Sequence, residues 1–94
     1  MIYVYILQSL TDKRHIYYGQ TNNLRRRLNQ HNAAENTSTR RFRPWKVVYF
    51  EAYTSRKLAL AREKQLKHYG QARTKLKKQL GFPNAKDQFN RLYD

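Results

Sequence analysis

Three segments of the chain have the dense apolar and aromatic pattern of β-strands. The first, residues 1–7, is followed by a polar stretch, residues 8–15, and a short apolar stretch, residues 15–18, which together predict a β-hairpin. The third segment, residues 45–53, contains two consecutive valines followed by two aromatic residues. The pattern therefore predicts three strands, of which the first two form a hairpin.

Helix-forming patterns occupy most of the remaining chain. Residues 56–68 are rich in good helix formers and follow Thr54 and Ser55, either of which can cap a helix. We also predict helices over residues 24–31 and 72–80. Helices and strands therefore both contribute to the fold.

Residues 32–44 contain Asn, Thr, Ser and several arginines without apolar periodicity, which predicts a mobile surface loop. Residues 86–93 are expected to form a short helix or to fray. No repeat or linker divides the chain, so residues 1–94 are expected to form a single domain. Within it, residues 1–70 would hold the sheet and the site helices, and residues 71–94 a helical extension.

The chain passes directly from the second strand to the first helix. Gly19 is expected to permit the backbone turn between them, and either Asn22 or Asn23 can cap the helix. On the helix, two leucines form an apolar stripe beside a second stripe of Arg27 and His31. A guanidinium next to phenols of the preceding strand suits phosphate binding, with a phenol or imidazole to handle a proton. The alternative is a solvated, arginine-rich helix face.

Composition narrows the class of partner. The 94 residues include 20 Lys and Arg against 6 Asp and Glu, a net charge of +14 that favours a polyanion, and nucleic acid above all. The absence of cysteine excludes disulfides and cysteine-based zinc sites. No apolar run is long enough for a membrane span or a signal peptide, so we expect a cytoplasmic protein that does not bind membranes.

Glu63 is the most informative acidic residue. Its neighbours three and four positions away on the predicted helix are mostly apolar, so its carboxylate lies at the edge of the packing face and needs a partner. One interpretation is an ordinary surface ion pair with Lys67 or Arg62. The others are an arginine of the first helix or a divalent cation, because Mg²⁺ often uses only one or two protein carboxylates.

The six acidic residues lie on separate predicted elements: Asp12, Glu35, Glu51, Glu63, Asp87 and Asp94. This distribution argues against a two-metal nuclease, in which several carboxylates converge on two ions. The three histidines also lack metal-ligand spacing. Any metal site is therefore expected to depend on a single carboxylate.

The chain resembles the GIY-YIG nuclease family in five ordered features. They are the segment Tyr3-Val4-Tyr5, the segment Tyr17-Tyr18-Gly19, Arg27, His31 and Glu63. The resemblance covers nearly the whole chain, whose length is similar to that of small, stand-alone, single-domain bacterial members. Tyr3 and Gly19 belong to the structural part of the motif.

The resemblance implies an α/β (α+β) fold with a central three-stranded antiparallel sheet flanked by helices. It also implies that Tyr5 and Tyr17 face each other from adjacent strands, and that Arg27 neutralises the scissile phosphate. Glu63 would hold a single Mg²⁺ or Mn²⁺. Tyr17, or His31 assisting it, would take a proton from the attacking water.

The sequence departs from the family pattern at several positions. Tyr3 and Val4 replace the Gly and Ile of the first motif, and Tyr18 replaces the isoleucine of the second; all three are interpreted as structural because they continue β-forming strands. Many active members also carry an asparagine near the end of the domain, which is either Asn84 or Asn90 here.

The remaining basic residues are interpreted as a surface for the nucleic-acid backbone without base readout. The expected phosphate contacts are Arg25, Arg26, Arg40, Arg41, Arg43, Lys64 and Lys67. Some of the eight tyrosines and Trp45 could stack on unpaired bases, although most are expected to be core or strand residues.

Two functions follow from these features. The first is a metal-dependent DNA endonuclease that recognises DNA structure rather than sequence. The alternative is a non-catalytic nucleic-acid-binding domain, with DNA or RNA as its partner, acting as an accessory in DNA repair, replication or RNA handling. Tyr5, Tyr17, Arg27, His31 and Glu63 together favour the enzyme, because a simple binding domain does not need the single carboxylate.

Overall fold

A computed structural model describes residues 1–81, in which a three-stranded antiparallel sheet is flanked by three α-helices. This confirms the α/β (α+β) architecture predicted from the sequence. The segment 86–93, expected to be helical or frayed, lies outside the described residues, as do Asn84 and Asn90.

The sheet is organised around its central strand, β1 (Ile2–Ser9), which pairs with β2 (Ile16–Thr21) on one side and β3 (Trp45–Tyr53) on the other. Both pairings are antiparallel, and the register places Tyr5 directly opposite Gly19. The third strand has the predicted bounds. The second continues past the predicted turn, because its last residues remain paired with the first half of the central strand.

The helices are α1 (Leu24–Asn32), α2 (Arg56–His68) and α3 (Gly70–Leu80). The side chain of Asn23 caps α1 by accepting a hydrogen bond from a backbone N–H of the first turn, and Ser55 caps α2 in the same way. Within residues 1–81, no helix is long and apolar enough to cross a membrane.

Alternation along the strands produces one apolar cluster on each face of the sheet. The face covered by α2 and α3 contains Val4, Ile6, Ile16, Tyr18, Ala59, Leu66 and Leu76. The opposite face, covered by α1, contains Tyr5, Leu7 and Trp45, with Tyr17, Leu24, Leu28, Phe42 and Val47 packed around them. Tyr5 and Tyr17 therefore share the face on which α1 lies.

The segment between α1 and β3 is more structured than the predicted surface loop. It includes a short 3₁₀ helix, Arg40–Phe42, and Thr39 in this segment is only 1% exposed. The Trp45 indole donates a hydrogen bond of 2.8 Å to the carbonyl of Thr39, and the side chain of Asn32 is hydrogen-bonded to both the N–H and the C=O of Trp45. The loop prediction is therefore wrong at Thr39, which these contacts hold inside the protein.

Candidate functional site

Gly19 accommodates the side chain of Tyr5 and does not form a turn. It lies within β2, opposite Tyr5, and is absent from the positions with positive φ among the described residues. A Cβ atom added at Gly19 would collide with the hydroxyl oxygen and ring carbon of Tyr5. The prediction of a backbone turn at Gly19 is therefore wrong: the position requires glycine because the Tyr5 phenol lies against its backbone.

A buried hydrogen-bonded chain begins at Tyr5, which is 1% exposed. Its hydroxyl lies 3.0 Å from Nε2 of His31, and Nδ1 of His31 lies 2.7 Å from Oγ1 of Thr39. The Thr39 hydroxyl in turn donates to the carbonyl of Asn36. The chain links the central strand to α1 and to the segment that follows α1.

We assign the hydrogens of this chain from the contact of Thr39 with Asn36, which is long, at 3.5 Å. With the Thr39 hydroxyl hydrogen directed at the Asn36 carbonyl, Oγ1 of Thr39 accepts from Nδ1–H of His31. Nε2 then has only a lone pair, so the Tyr5 hydroxyl donates to it. Burial, reinforced by the positive charge of Arg27, lowers the pKa of His31 to about 4, which keeps the imidazole neutral as this arrangement requires.

With its hydrogen used on His31, the Tyr5 oxygen is an acceptor toward Arg27. Hydrogen bonding with Tyr5 is the main reason that the pKa of Arg27 is raised. The Arg27 guanidinium also donates a hydrogen bond of 3.1 Å to Oε1 of Gln30. Burial raises the pKa of Tyr5 to about 12 although Arg27 opposes the shift, so Tyr5 remains a neutral phenol at physiological pH.

Tyr17 completes the aromatic side of the site and is more accessible than Tyr5. The two phenol rings lie 6.4 Å apart, and the Tyr17 ring lies 4.9 Å from the His31 ring. His31 hydrogen-bonds to Tyr5 and Thr39, so the expected direct assistance of Tyr17 by His31 is not the arrangement observed. The ammonium of Lys67 instead lies 5.8 Å from the centre of the Tyr17 ring.

Glu63 approaches the same site from α2. Its side chain is 19% exposed, and its charge contributes to the raised pKa of Tyr5. Its ion pair with Lys67 is long, at 3.8 Å, whereas Arg62 is bound to Glu51 at 2.9 Å. The alternative pairing of Glu63 with Arg62 is therefore excluded, and the carboxylate lies toward the site with only a loosely held cation beside it.

The metal-ligating side chains of the site are suited to a single hard cation. Within residues 1–81, no group of three or more His, Cys, Asp or Glu side chains could hold a metal ion. Among the acidic residues of the described part of the chain, Glu63 alone supplies a part-buried carboxylate that is not closely paired. Mg²⁺ and Mn²⁺ accept such a site, because water and substrate phosphate complete the coordination shell. The residues present fit a single divalent cation held by Glu63.

Other family-motif positions serve packing. Val4 and Tyr18 are buried in the cluster beneath α2, and the ring of Tyr3 packs edge-on against Phe50 with 5.8 Å between ring centres. These contacts agree with the structural interpretation of the replaced motif residues. Trp45 is 4% exposed and belongs to the core, so it does not provide a stacking platform.

The expected backbone-binding residues fall into two groups. Six of the seven are exposed: Arg25, Arg26, Arg40, Arg41, Arg43 and Lys64. Lys67 differs because it is half-buried between Glu63 and Tyr17, which makes it part of the site. Their contacts with nucleic acid remain predictions.

Sequence reasoning missed two contributors to the site. Thr39 fixes the orientation of His31, and Gln30 holds the guanidinium of Arg27. Gln30 lies three positions after Arg27 on α1, so helical spacing could have indicated that contact. No signal marked Thr39, because its position depends on how the irregular segment folds back over α1.

The fold is consistent with that of a nuclease-family domain, and comparison with known proteins identifies the family. The model of the GIY-YIG catalytic domain matches residues 1–79, so the chain belongs to the GIY-YIG family, whose domains are generally nucleases that use a divalent metal. The family expected from the sequence is thereby confirmed.

Three curated relatives are UPF0213 proteins, which are small members of this family. The one from Haloquadratum walsbyi is 38% identical over 68 residues, covering 71% of this chain and 74% of the relative. Those from Lactiplantibacillus plantarum and Clostridium perfringens are 41% and 40% identical, covering 74% and 71% of this chain and 70% and 71% of the relatives.

Proposed function

We propose that the protein is a DNA endonuclease that hydrolyses phosphodiester bonds with a single divalent cation, Mg²⁺ or Mn²⁺. The observation that carries the proposal is the meeting of four side chains in one electrostatic network. The rings of Tyr5 and Tyr17 lie 6.4 Å apart, and the Lys67 ammonium that pairs with Glu63 lies over the Tyr17 ring. Arg27 is hydrogen-bonded to Tyr5, so the four side chains meet although they come from four different elements. Arginine, phenol and carboxylate are the groups that phosphodiester hydrolysis needs beside the reacting phosphate.

Arg27 is suited to hold the scissile phosphate. Its guanidinium is oriented by two neutral acceptors, Tyr5 and Gln30, so its position is fixed while its charge is not cancelled by a carboxylate. A preoriented positive charge stabilises the negative charge that develops on the phosphate oxygens during hydrolysis. In this proposal Tyr5 positions Arg27, and His31 positions Tyr5.

Tyr17 is the residue best placed to take a proton from the attacking water. Tyr5 is unsuited to that role, because it is buried, its hydrogen is directed at His31 and its pKa is raised to about 12. Tyr17 is more accessible than Tyr5, the Lys67 ammonium lies 5.8 Å from the centre of its ring, and the Arg27 guanidinium interacts with its side chain. A neutral, buried His31 does not exchange protons with water directly.

Glu63 would hold the divalent cation. When bound, the ion supplies positive charge that stabilises the transition state and the departing oxygen. The carboxylate retains its own role in the absence of the ion, because its negative charge lies close to Lys67 and keeps that ammonium near Tyr17.

Selection by DNA structure rather than by base sequence agrees with the exposed basic side chains. Arginine and lysine contacts to phosphates fix the position of a protein on the backbone without reading bases. Arg25 and Arg26 lie on α1 beside Arg27, so they would contact the backbone close to the bond that is cut. We infer that the enzyme acts at strand junctions, flaps or unpaired regions, where the backbone geometry differs from that of a regular duplex.

The decisive experiment compares the cleavage of single-stranded, duplex, flapped and four-way DNA in Mg²⁺, Mn²⁺ or EDTA. Glu63→Gln and Arg27→Gln are assayed with Glu35→Gln and Lys57→Gln, which remove matched charges at exposed positions. We expect metal-dependent cleavage that falls by about 10² to 10³-fold in the first two variants only, the size of effect seen on removing one electrostatic contact to a transition state.

Two outcomes would overturn the proposal. Cleavage that survives EDTA, or that is equal in all four variants, would assign the activity to another site or another protein. DNA binding without cleavage of any substrate would favour the non-catalytic accessory domain instead.

A further inference from the structure

A polar cleft adjoins the site on the side of Arg27. It has a volume of about 440 Å³ and lies between the end of β2, α1 and the start of α2. Three arginines line it, Arg26, Arg27 and Arg56, and every other lining residue is an uncharged polar residue. A cleft with this composition excludes apolar ligands and cations, and it attracts anions.

Two of the three arginines of the cleft are oriented without being neutralised. A guanidinium nitrogen of Arg26 donates a hydrogen bond of 2.9 Å to the amide oxygen of Asn22, and Arg27 donates one of 3.1 Å to Gln30. Arg62, by contrast, is bound to a carboxylate elsewhere in the molecule. Amide partners restrict the conformations of Arg26 and Arg27 and leave the full charge available to a ligand.

We propose that this cleft binds the phosphate next to the scissile phosphate on the same DNA strand, with Arg56 and Arg26 as its ligands. The identity of the strand as DNA rests on the proposed function. Arg27 belongs both to the cleft and to the Tyr5 network, so an anion in the cleft lies directly beside the site.

The chemistry of the lining favours a phosphodiester. Planar guanidinium groups match pairs of phosphate oxygens, and amide and hydroxyl groups can satisfy the remaining oxygens. Arg56 is the residue that sequence reasoning did not assign to binding. It enters the cleft only because the start of α2 is brought beside α1 by the folding of the sheet.

Binding of fluorescently labelled DNA, measured by anisotropy across about 50 to 200 mM salt, tests the proposal independently of cleavage. The variants are Arg56→Gln, Arg26→Gln and the charge-preserving Arg56→Lys. Lys57→Gln is the matched control, because Lys57 is the exposed neighbour of Arg56 on α2 and does not line the cleft.

We expect Arg56→Gln and Arg26→Gln each to weaken binding about tenfold, the effect of losing one hydrogen bond to a charged group. Each should also reduce the slope of log K against log salt by about 0.9 on duplex DNA. Arg56→Lys should keep the slope and still weaken binding, because an ammonium does not reproduce a two-point contact. Lys57→Gln should change affinity less than twofold.

The failure of this inference can be distinguished from failure of the proposed function. If Arg56→Gln binds DNA like Lys57→Gln while cleavage is intact, the cleft is not a phosphate subsite and the nuclease proposal stands. If Arg56→Gln selectively loses binding while no variant or wild-type protein cleaves DNA, the cleft is supported and the nuclease proposal is overturned.

Discussion

The hydroxyl oxygen of Tyr5 lies 3.0 Å from Nε2 of His31, and this buried hydrogen bond joins the central strand to α1. The other ring nitrogen of His31 is bonded to Thr39, so the imidazole is held at both ends. This arrangement uses the hydrogen of Tyr5 and leaves its oxygen to accept from Arg27. The two tyrosines of the site therefore have different roles, and substitutions can separate them.

Replacing Tyr5 with phenylalanine should reduce stability, whereas replacing Tyr17 with phenylalanine should reduce cleavage. Tyr5→Phe leaves Nε2 of His31 without its buried donor, so we expect the free energy of unfolding to fall by about 1–3 kcal/mol. Tyr17→Phe removes an accessible hydroxyl and should leave stability almost unchanged while abolishing cleavage. Urea denaturation and the DNA cleavage assay measure the two effects. Full cleavage by Tyr17→Phe would remove Tyr17 from the chemistry.

Stability should depend on pH through His31. Its pKa is about 4 in the folded protein against 6.5 for an unperturbed histidine, so the unfolded chain binds more protons between these values. The stabilisation that comes from keeping His31 neutral should therefore be complete above about pH 6.5. The free energy of unfolding should then fall by up to about 3 kcal/mol as the pH decreases to about 4.

His31→Gln should flatten this dependence, whereas His68→Gln, at an exposed position, should retain it. Chemical denaturation at a series of pH values gives the curves. Nitrogen-15 NMR of the imidazole should also show hydrogen on Nδ1 of His31 at neutral pH. A hydrogen on Nε2 would reverse the direction assigned to the chain through Tyr5.

Gly19→Ala should displace Tyr5. The added Cβ meets the phenol, and overpacking of this kind reduces stability by about 1–3 kcal/mol. Because Tyr5 orients Arg27, cleavage should fall as well. Gly70→Ala is the control: the nearest atom to its added Cβ is 3.8 Å away, and alanine favours a helix. Equal stability of the two variants, measured by thermal unfolding, would contradict the close packing of Tyr5 on Gly19.

Glu51→Gln should loosen the attachment of α2 to the sheet. The carboxylate of Glu51 receives hydrogen bonds of 2.6 Å from both Tyr49 and Tyr53 and forms a two-point ion pair with Arg62. Removal of its charge should lower the free energy of unfolding by about 1–3 kcal/mol, since charged hydrogen bonds of a half-buried group are lost.

Glu35→Gln, at an exposed position, is the matched control for that substitution. A double-mutant cycle between Glu51→Gln and Arg62→Gln isolates the coupling, which we expect to be about 0.5–3 kcal/mol. No measurable coupling would show that α2 is held by apolar packing alone. Since Arg62 precedes Glu63 on α2, a loosened attachment should also reduce cleavage.

The sequence predicts most of the fold because its periodic signals are local. The pattern predicts a strand over residues 45–53 and a helix over residues 56–68, and these are the bounds observed. The strand is rich in β-branched and aromatic residues, and the helix begins after a capping residue with a series of good helix formers. Composition alone, however, does not distinguish a glycine needed for a turn from one needed for close packing. At Gly19 the decisive factor is Tyr5, on the neighbouring strand.

The sequence predicts which residues form the site better than it predicts the contacts between them. The resemblance identified Tyr5, Tyr17, Arg27, His31 and Glu63, and the structure brings all five together. It did not show that His31 bonds to Tyr5 rather than assisting Tyr17. That contact depends on how the central strand and α1 are positioned relative to each other, which residue spacing does not encode.

The order of strands along the chain has a consequence for synthesis. The central strand, Ile2–Ser9, is made first, yet its partner Trp45–Tyr53 is made only after the hairpin and α1 are complete. During that interval the backbone N–H and C=O groups along one edge of the central strand have no partner strand and are open to pairing with other chains. A chain whose synthesis stops before Trp45 would therefore present an unpaired strand edge at Ile2–Ser9.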